Sequence, residues 1–503
     1  MQADTGKKKR MLIFFFFLAF VMAVYAPLIT KSFASDDFAV LRRVVYARHG
    51  IFIKKFFRPL SDITLYSNYL VAGFNPVVYN LFNFISHACI AYMVFLVAGR
   101  IAWIPEKNRR FFSWLAALLF LTYPFHNESV AWGVGRASLM AALFGVLAML
   151  VAVSAIRPRW KYFLVCLFFF IGLSGYESIL VLPGIILLLV YDRRMPLRDY
   201  IPWIIWMGST LIIHLVVRVL VSGVLWGSYG AGMIGVSEKT GMMKYLKVAG
   251  RILLPPMANP EILTVLCGAL AIVLAAGVFL LWKKRDQGPQ GLSVLGRFGA
   301  MFLLAMLIPL MFGISTRTYE GDRLFYFPSV ILALALAWLI SASLNRKPAL
   351  VAGSVLIGYQ FVFLQVNIHN WKEASRITRD ITGTIKKMSN TGRHIYVVNI
   401  PEEYEGAHVL RNGFYDALWL EGVDTSRVTA INYIRTEQRR EWRSLEPAKQ
   451  AGGELFIPPF TDLSFVMDKR GGYQKKDGKY LLDINPATDC VLYWNGQQIK
   501  PLQ

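Results

Sequence analysis

The sequence predicts a polytopic α-helical membrane protein of about 11 transmembrane helices, followed by a C-terminal mixed α/β soluble domain. Hydrophobic residues make up 55% of the chain and aromatic residues 14%, which exceeds the usual composition of a soluble protein. Apolar stretches of about 20 residues, the length of helix that crosses a hydrocarbon core, recur from Met11 to Trp371. No long apolar run follows. The chain therefore divides into a membrane domain, residues 1–371, and a soluble domain, residues 372–503.

Eleven apolar runs are candidates for transmembrane helices. They cover residues 11–30, 74–99, 111–125, 137–156, 162–175, 178–191, 200–217, 261–282, 298–316, 324–345 and 348–371. The first run could be a secretory signal, but it exceeds the apolar core of such a signal, about 7–15 residues. We therefore expect an uncleaved first helix that follows a basic, cytoplasmic N-terminus.

The stretch 162–191 admits two interpretations: one long helix with a buried glutamate, or two short helices that meet at Tyr176-Glu177. Basic residues precede it at positions 157–161 and follow it at positions 193–198. Because positively charged loops remain in the cytoplasm, a single helix would place one of these clusters outside. We therefore predict two short helices joined by an outer turn that carries Glu177.

The distribution of charge predicts which side each loop occupies. The formal net charge is +23, yet residues 372–503 carry 19 Lys and Arg against 17 Asp and Glu. The excess lies in clusters between apolar runs, including residues 107–110, 283–285 and 346–347, which is typical of cytoplasmic loops and argues against nucleic acid as a partner. An odd number of helices then places the soluble domain outside, in a periplasm or lumen. We expect a bacterial inner membrane.

Periodicity gives a coarse outline of the soluble domain. Residues 394–400 and 480–483 predict strands, whereas residues 403–420 and 436–450 predict helices. Three of the four cysteines lie in predicted membrane helices and Cys490 stands alone in the soluble domain, so no disulfide framework is implied.

The first external loop, residues 31–73, is unusually basic for an external segment. Apolar residues in its part 40–57 recur at helical spacing, which predicts a basic amphipathic helix in the outer headgroup plane. Two explanations stay open. The basic residues anchor the chain to anionic lipid, or they hold an anionic ligand, such as a phosphate-bearing lipid, beside Asp36 and Asp37.

Ionisable residues cluster at the outer ends of the predicted helices, although each costs about 2.5–3.5 kcal/mol at the bilayer centre. They are Asp36, Asp37, His126, Glu128, Glu177, Arg317, Glu320, Asp322 and Arg323. Helix capping or interfacial solvation explains each one singly, but their common side favours a shared external cavity. Paired carboxylates can deprotonate a hydroxyl or hold a divalent cation, and guanidinium and imidazole groups can stabilise a phosphate leaving group. These are the components of sugar transfer from a lipid phosphate.

The sequence specifies no cofactor with certainty. It contains no Walker loop, no glycine-rich dinucleotide turn and no HExxH motif, so ATP, NAD and a zinc protease have no support. A divalent cation at the carboxylates stays open, and the residues that would hold a metal are unknown.

The same residues belong to an ordered series of short motifs. The series comprises Asp36-Asp37-Phe38, Arg58-Pro59-Leu60, Asn68-Tyr69, Gly73, Pro76, Asn83, His87, His126, Glu128-Ser129-Val130-Ala131-Trp132, Gly135-Arg136, Glu177, Leu182-Pro183, Tyr191-Asp192 and Asp322-Arg323-Leu324-Phe325-Tyr326-Phe327-Pro328. It resembles the membrane module of the tetratricopeptide-containing O-mannosyltransferases and their bacterial relatives, within the GT-C class of polyprenyl-phosphate-dependent glycosyltransferases. The resemblance covers about residues 11–345, and its most specific blocks are 58–87 and 126–136.

The resemblance implies a GT-C-like bundle with an external cavity that opens laterally to a lipid-linked sugar. Asp36 or Asp37 would be the catalytic base, with Asp36 preferred, and Glu128 and Glu177 would position the acceptor or a metal. The donor-phosphate site would be lined by Arg58, His126, Arg136, Arg323 and Tyr326. The implied partners are a polyprenyl-phosphate-linked sugar donor, a protein, lipid or glycan acceptor, and membrane lipids.

Two departures from the family bear on this assignment. The helical repeats that follow the family's membrane module are replaced by the mixed domain, so the family's acceptor does not carry over. Asp322 also stands where the family usually has glutamate, which leaves its role open.

Two other functions stay open beside a membrane glycosyltransferase acting on the external face. A transporter or flippase for lipid-linked glycans would also need a basic groove, but transporters usually contain internal repeats, and residues 11–190 share no similarity with residues 200–371. An oligosaccharide ligase or polymerase would favour arginine and histidine over paired aspartates. The sequence therefore favours the glycosyltransferase.

Overall fold

The structure is a computed structural model that describes residues 2–47, 50–52, 54, 57–192, 194–224, 242–257, 259–283, 288–312, 314–316, 318–434, 449–451, 454–457, 474–476 and 479–502. The chain forms two compact units. The first, here the bundle unit, comprises Met1–Ile29 and Arg48–Ile368. The second, the tail unit, comprises Thr30–Ala47 and His369–Gln503. Part of the predicted first external loop therefore belongs to the same unit as the C-terminal residues.

Helices dominate the described chain. They are α1 (Gln2–Tyr25), α2 (Asp36–Tyr46), α3 (Pro59–Ala72), α4 (Pro76–Ala98), α5 (Glu106–Leu121), α6 (Asn127–Ala131), α7 (Arg136–Ala152), α8 (Pro158–Leu173), α9 (Leu182–Val190), α10 (Ile201–Ser222), α11 (Met242–Arg251), α12 (Pro260–Lys283), α13 (Gly288–Phe312), α14 (Tyr326–Ser343), α15 (Arg346–Ser389) and α16 (Phe414–Leu420). Proline stands in the first turn of α3, α4 and α8, where its missing N–H costs nothing and its fixed φ favours the helix.

Burial distinguishes the central helix of the bundle unit from a peripheral one. In the segment Asp322–Ser343, which contains α14, 89% of the most apolar window is buried, against 6% in the segment Glu261–Lys283 of α12. Both helices are apolar on all sides. A helix of that kind is stable either inside a bundle or against lipid. We therefore place α14 at the centre of the bundle and α12 against lipid.

Seven helices of the described chain are long and apolar enough to cross a membrane. The number rises to eight if Pro124–Ala131 and Arg136–Ala152, bent by 108°, form one span. The protein is therefore an integral, multi-pass membrane protein. The predicted count of eleven is not confirmed, because the runs 111–125, 162–175 and 178–191 lie on helices of only 16, 16 and 9 residues.

The stretch 162–191 consists of two helices, so the predicted break is confirmed. Helix α8 ends at Leu173 and α9 begins at Leu182, with Glu177 in a short 3-10 turn between them. Proline in the first turn of α9 favours a new helix there.

The predicted amphipathic helix over residues 40–57 is wrong in its bounds and in its partner. Helix α2 begins at Asp36, where acidic side chains favour a helix N-terminus, and ends at Tyr46, after which Ala47 is extended. Its buried face, which includes Phe38 and Leu41, belongs to the tail unit, in which α2 packs against α16. Protein therefore covers the face that the sequence assigned to lipid headgroups.

The tail unit is mixed α/β, as predicted. Its strands are β1 (His394–Val398), β2 (Ile400–Pro401), β3 (Glu403–Tyr404), β4 (Ala407–His408), β5 (Val428–Ala430), β6 (Tyr433–Ile434), β7 (Lys449–Ala451), β8 (Glu454–Ile457), β9 (Gln474–Lys476), β10 (Lys479–Asp483), β11 (Asp489–Trp494) and β12 (Ile499–Pro501). One four-stranded sheet has the order β12-β11-β1-β5, in which β1 is parallel to β11 and to β5. A second has the order β7-β8-β10-β9 and is antiparallel.

Local predictions within this unit succeed in part. The predicted strands 394–400 and 480–483 are confirmed by β1, β2 and β10. The predicted helix 403–420 is wrong in its first half, because residues 403–408 form the antiparallel pair β3 and β4. Gly406 has φ +81, a conformation that suits a tight turn and not a helix. The predicted helix 436–450 lies outside the described residues except for 449 and 450, which are in β7.

Candidate active site

In the bundle unit, Glu128 is bound twice by Arg323. Glu128 lies in the first turn of α6, and Arg323 lies in the 3-10 turn that precedes α14. One carboxylate oxygen accepts a hydrogen bond from the Arg323 guanidinium, and the other accepts one from the Arg323 backbone N–H at 2.9 Å. The glutamate side chain is 3% exposed and the arginine 27%. Arg323 therefore neutralises Glu128 and keeps part of its own cation accessible.

The turn between α8 and α9 gathers further charge. The Glu177 carboxylate accepts a hydrogen bond from Arg218 of α10, with 2.7 Å between Nη1 and Oε1. The Arg58 guanidinium lies 4.5 Å from the ring centroid of Tyr176, and its charge acts on Glu177. Tyr176 also lies within electrostatic reach of Arg323. The bundle unit thus brings Glu128, Glu177, Arg58 and Arg323 near one another, and a cavity shared by them stays a prediction.

Arg218 is a site residue that was not predicted. His214 and Arg218 lie four residues apart on α10 and therefore share a helix face. Arg218 instead binds Glu177, and both ring nitrogens of His214, Nε of Arg218 and Oγ of Ser178 have no hydrogen-bond partner within the described chain. Phe57 and Phe170 pack edge-on against the His214 ring. A buried polar group without a hydrogen-bond partner lowers the stability of the fold. A ligand whose polar atoms bind these groups of His214, Arg218 and Ser178 would remove that cost.

Asp322 forms a separate, fully buried ion pair with Arg251 of α11. The side chains are 3% and 0% exposed. Arg251 also donates hydrogen bonds to the carbonyl oxygens of Leu254 at 2.8 Å and Ser315 at 3.2 Å, and its guanidinium lies 4.7 Å from the ring centroid of Phe125. Arg251 was not predicted either. It follows Lys244 and Lys247 in the sequence and belongs to none of the motifs described above.

Two predicted phosphate ligands, His126 and Tyr326, lie in the core of the bundle. Both are 0% exposed. The His126 ring is hydrogen-bonded to the hydroxyl of Ser329 at 2.7 Å, and the Tyr326 hydroxyl to the ring of His87 at 2.6 Å. Their partners are therefore other bundle helices, and contact with a ligand would require this network to open.

A third predicted phosphate ligand, Arg136, is also enclosed. It is 0% exposed and donates to the side-chain oxygens of Asn83 and Asn68, each at 2.6 Å, and to the carbonyl oxygen of Tyr79 at 2.9 Å. Because these acceptors belong to α3 and α4, Arg136 ties both helices to the start of α7. Its geometry is that of a buried structural cation.

The predicted bases, Asp36 and Asp37, lie in the tail unit as the first two residues of α2. Asp37 is 2% exposed, and its Oδ2 accepts a hydrogen bond from the backbone N–H of Ala34 at 3.1 Å. Asp36 is partly exposed. Their convergence with Glu128 and Glu177 stays a prediction, because those two residues belong to the bundle unit.

A buried lysine accompanies the aspartates in the tail unit. Lys31 is 4% exposed, donates to the carbonyl oxygen of Ser32 at 2.6 Å, and lies 5.6 Å from the ring centroid of Trp371. Burial lowers the pKa of Lys31 to about 8, while the charge of Asp37 raises it and that of Arg379 lowers it.

Metal-ligating groups are dispersed over the part of the chain that the structure describes. No group of three or more His, Cys, Asp or Glu residues there could hold a metal ion. In the bundle unit, Glu128, Glu177 and Asp322 each bind an arginine.

The chain is similar to O-mannosyl-transferases over part of its length. No protein-family model matches it. Protein O-mannosyl-transferase TMTC4 of Homo sapiens is 40% identical over 116 residues, which is 21% of this chain and 16% of that protein. Protein O-mannosyl-transferase TMTC3 of Mus musculus is 36% identical over 96 residues, 19% of this chain and 10% of that protein. Protein O-mannosyl-transferase TMTC2 of Homo sapiens is 27% identical over 190 residues, 35% of this chain and 21% of that protein.

These similarities confirm the resemblance that the motifs predicted. The chain spans about a tenth to a fifth of the length of these relatives. Among solved structures, the crystal structure of ArnT from Cupriavidus metallidurans bound to undecaprenyl phosphate matches 94% of this chain and 98% of that chain, with 12% sequence identity and a TM-score of 0.44. A TM-score of this size does not establish a common fold.

Proposed function

We propose that this protein is a GT-C-type membrane glycosyltransferase that moves a sugar from a polyprenyl-phosphate donor to an acceptor hydroxyl on the external face of the membrane. The observation that carries the proposal is the arginine cluster at the α8–α9 turn, where Arg58, Arg218 and Arg323 surround Tyr176 and Glu177. The similarity to proteins named O-mannosyl-transferases supports sugar transfer, and mannose is the first sugar to test.

The arginine cluster suits a phosphate because it gathers three guanidinium groups at one turn. The guanidinium groups of Arg58, Arg218 and Arg323 lie around Tyr176 and Glu177. Guanidinium groups bind phosphate oxygens with charge-assisted hydrogen bonds. The unpartnered donors of Arg218 and His214 would supply further bonds to those oxygens.

The proposed chemistry needs a base and a stabilised leaving group. The carboxylate of Asp36 or Asp37 takes the proton of the acceptor hydroxyl, whose oxygen forms the new bond to the anomeric carbon. The bond between that carbon and the phosphate oxygen breaks, and its electron pair leaves with the lipid phosphate, whose charge the arginines stabilise. Positioned general bases contribute about 10²–10⁴ in rate. We prefer Asp36 because it is partly exposed, whereas Asp37 is buried.

Three of the predicted phosphate ligands take a different part in this proposal. Arg136, His126 and Tyr326 are enclosed by bundle residues, so they would support the helices that carry the site. Glu128 and Glu177 would position the arginines and, through them, the donor.

The proposed topology follows from the distribution of basic loops. Eleven transmembrane helices, with the N-terminus in the cytoplasm, would place the tail unit in the periplasm or a lumen. A bacterial inner membrane is the proposed location.

The test is donor turnover by purified protein reconstituted in liposomes. Radiolabelled polyprenyl-phosphate mannose serves as the donor, membranes from a deletion strain supply the acceptor, and the release of polyprenyl phosphate is measured. We expect release by the wild-type protein, loss on Asp36→Asn or Asp37→Asn, and unchanged release on Asp199→Asn, a matched change at an exposed aspartate. If both single variants and the double variant still release polyprenyl phosphate, neither aspartate is the catalytic base.

A further inference from the structure

The loop that carries the aspartates is attached to the C-terminal part of the tail unit by backbone contacts. The N–H of Ser35 donates to the carbonyl oxygen of Val409 at 2.8 Å, and the N–H of Val409 donates to the carbonyl oxygen of Glu402 at 2.9 Å. The backbone N–H of Glu402 in turn donates to the carbonyl oxygen of Ile434 at 2.8 Å. A continuous series of hydrogen bonds therefore joins the residue before Asp36 to the strands of the tail unit.

A glycine allows this loop to approach the domain closely. A Cβ placed on Gly413 would lie 2.0 Å from the carbonyl oxygen of Ser35 and 3.2 Å from Cδ2 of Phe38. No side chain larger than hydrogen fits there without displacing one of the two segments. The backbone of Ser35 itself has φ +50 and ψ −123, a conformation that residues with a side chain rarely adopt.

The far side of α2 is fixed by side chains of α16. Arg42 forms an ion pair with Asp416 at 2.9 Å, and its guanidinium lies 4.6 Å from the ring centroid of Trp419. The ring of Tyr46 packs edge-on against the same tryptophan. Both ends of the short helix that begins with the aspartates are therefore held by residues more than 350 positions away in sequence.

We infer that the C-terminal residues of the tail unit form the element that positions the catalytic carboxylates, with Gly413 as the positioning residue at the contact. The inference rests on the proposed function. It gives the C-terminal domain, which stands where the O-mannosyltransferases have helical repeats, the role of holding the catalytic base in position. A displacement of about 1 Å at a reacting group can cost about 100-fold in rate, so a domain that holds the base contributes directly to turnover.

The test compares Gly413→Ala with Gly383→Ala in the full-length protein. Gly383 lies in α15 within the same unit, and a Cβ there would meet no atom within 4 Å. We expect Gly413→Ala to lower kcat for radiolabelled polyprenyl-phosphate mannose by about 10- to 100-fold, with the donor KM changed less than about twofold, because the donor is bound by the bundle unit. Gly383→Ala leaves both constants unchanged.

Two further measurements keep the outcome interpretable. Hydrogen exchange of the Ser35 amide, whose acceptor is Val409, should accelerate in Gly413→Ala and not in Gly383→Ala. Addition of Ser35→Gly, which removes the cost of the positive φ and lets the loop shift, should restore part of kcat. Fast exchange with an unchanged kcat overturns the positioning role, and so does an unchanged rate of exchange. If the wild-type protein transfers no sugar, the proposed function is wrong. The hydrogen-exchange rates still show, independently of activity, whether the contact at Gly413 holds the loop of Ser35 in place.

Discussion

The buried pair of Arg251 and Asp322 gives the sharpest prediction for stability. With exposures of 0% and 3%, neither group can be solvated if the other is removed. Asp322→Ala leaves the guanidinium with two carbonyl acceptors and the Phe125 ring, which do not neutralise its charge. Breaking a buried pair in this way costs about 3–5 kcal/mol, whereas replacing both partners with apolar residues of similar volume is often neutral. We therefore expect Asp322→Ala to lower the free energy of unfolding by about 3–5 kcal/mol and the double variant Arg251→Met with Asp322→Leu to remain within about 1–2 kcal/mol of the wild type.

The assay is reversible unfolding of the purified protein in mixed micelles with increasing dodecyl sulfate, followed by tryptophan fluorescence. The matched control is Glu373→Ala, which breaks the exposed pair with Arg376 on α15 and should cost less than about 1 kcal/mol. A loss below about 1 kcal/mol for Asp322→Ala, or a double variant as unstable as the single one, would refute the reasoning.

Three other predictions concern charge, close packing and topology. The pKa of Lys31 is about 8 in the folded protein and about 10.4 in the unfolded chain. Between these pH values the unfolded chain binds more protons, so the free energy of unfolding should rise by about 1 kcal/mol from pH 7 to pH 9. The variant Lys31→Met should lack this rise when unfolding is measured at both pH values. Gly135→Ala would bring a Cβ to 1.9 Å from a carbonyl oxygen of α6, whereas the Cβ of the control Gly296→Ala would meet no atom within 4 Å. Donor turnover should therefore fall at least about tenfold in Gly135→Ala and stay unchanged in the control. Full activity of Gly135→Ala would contradict the close packing of Gly135 against α6. In a cysteine-free background, Gln497→Cys should react with an impermeant maleimide in intact cells and Lys107→Cys only after lysis, and the reverse pattern would invert the topology.

Much of the fold could be predicted because it depends on local pattern. Apolar runs and basic clusters are properties of contiguous sequence, and they correctly indicated a multi-pass protein and the break at Glu177. The number of spans was less predictable, since α5, α8 and α9 are shorter than a helix that crosses a membrane unaided.

The candidate site was predictable in part of its membership and not in its pairing, because Arg218 and Arg251 were not predicted and three predicted ligands are buried in the bundle. The acids and some of the arginines at the predicted helix ends could be selected because charge is rare in membrane segments. Which partner each one takes depends on how the helices are rotated and packed. Arg218 shares a helix face with His214 yet binds Glu177, and Arg251 binds Asp322 from 71 positions away.

The attachment of residues 30–47 to the tail unit left no local signal. The contacts of Ser35 with Val409 and Gly413 join segments about 370 positions apart. The amphipathic pattern of α2 showed that one face must be covered, but a lipid surface and a protein helix satisfy that pattern equally. Only the fold distinguishes them.

The central claim is that the arginines of the bundle unit bind a lipid phosphate, and lipid binding tests it most directly. Radiolabelled polyprenyl phosphate and the uncharged polyprenol of the same length are titrated onto purified protein in nanodiscs, with Arg58→Gln beside Arg376→Gln as the exposed control. We predict that the wild-type protein and the control bind the phosphate at least about tenfold more tightly than the alcohol, and that Arg58→Gln loses this preference. Equal affinity of the wild-type protein for both lipids, or a preference that survives Arg58→Gln unchanged, would contradict the claim.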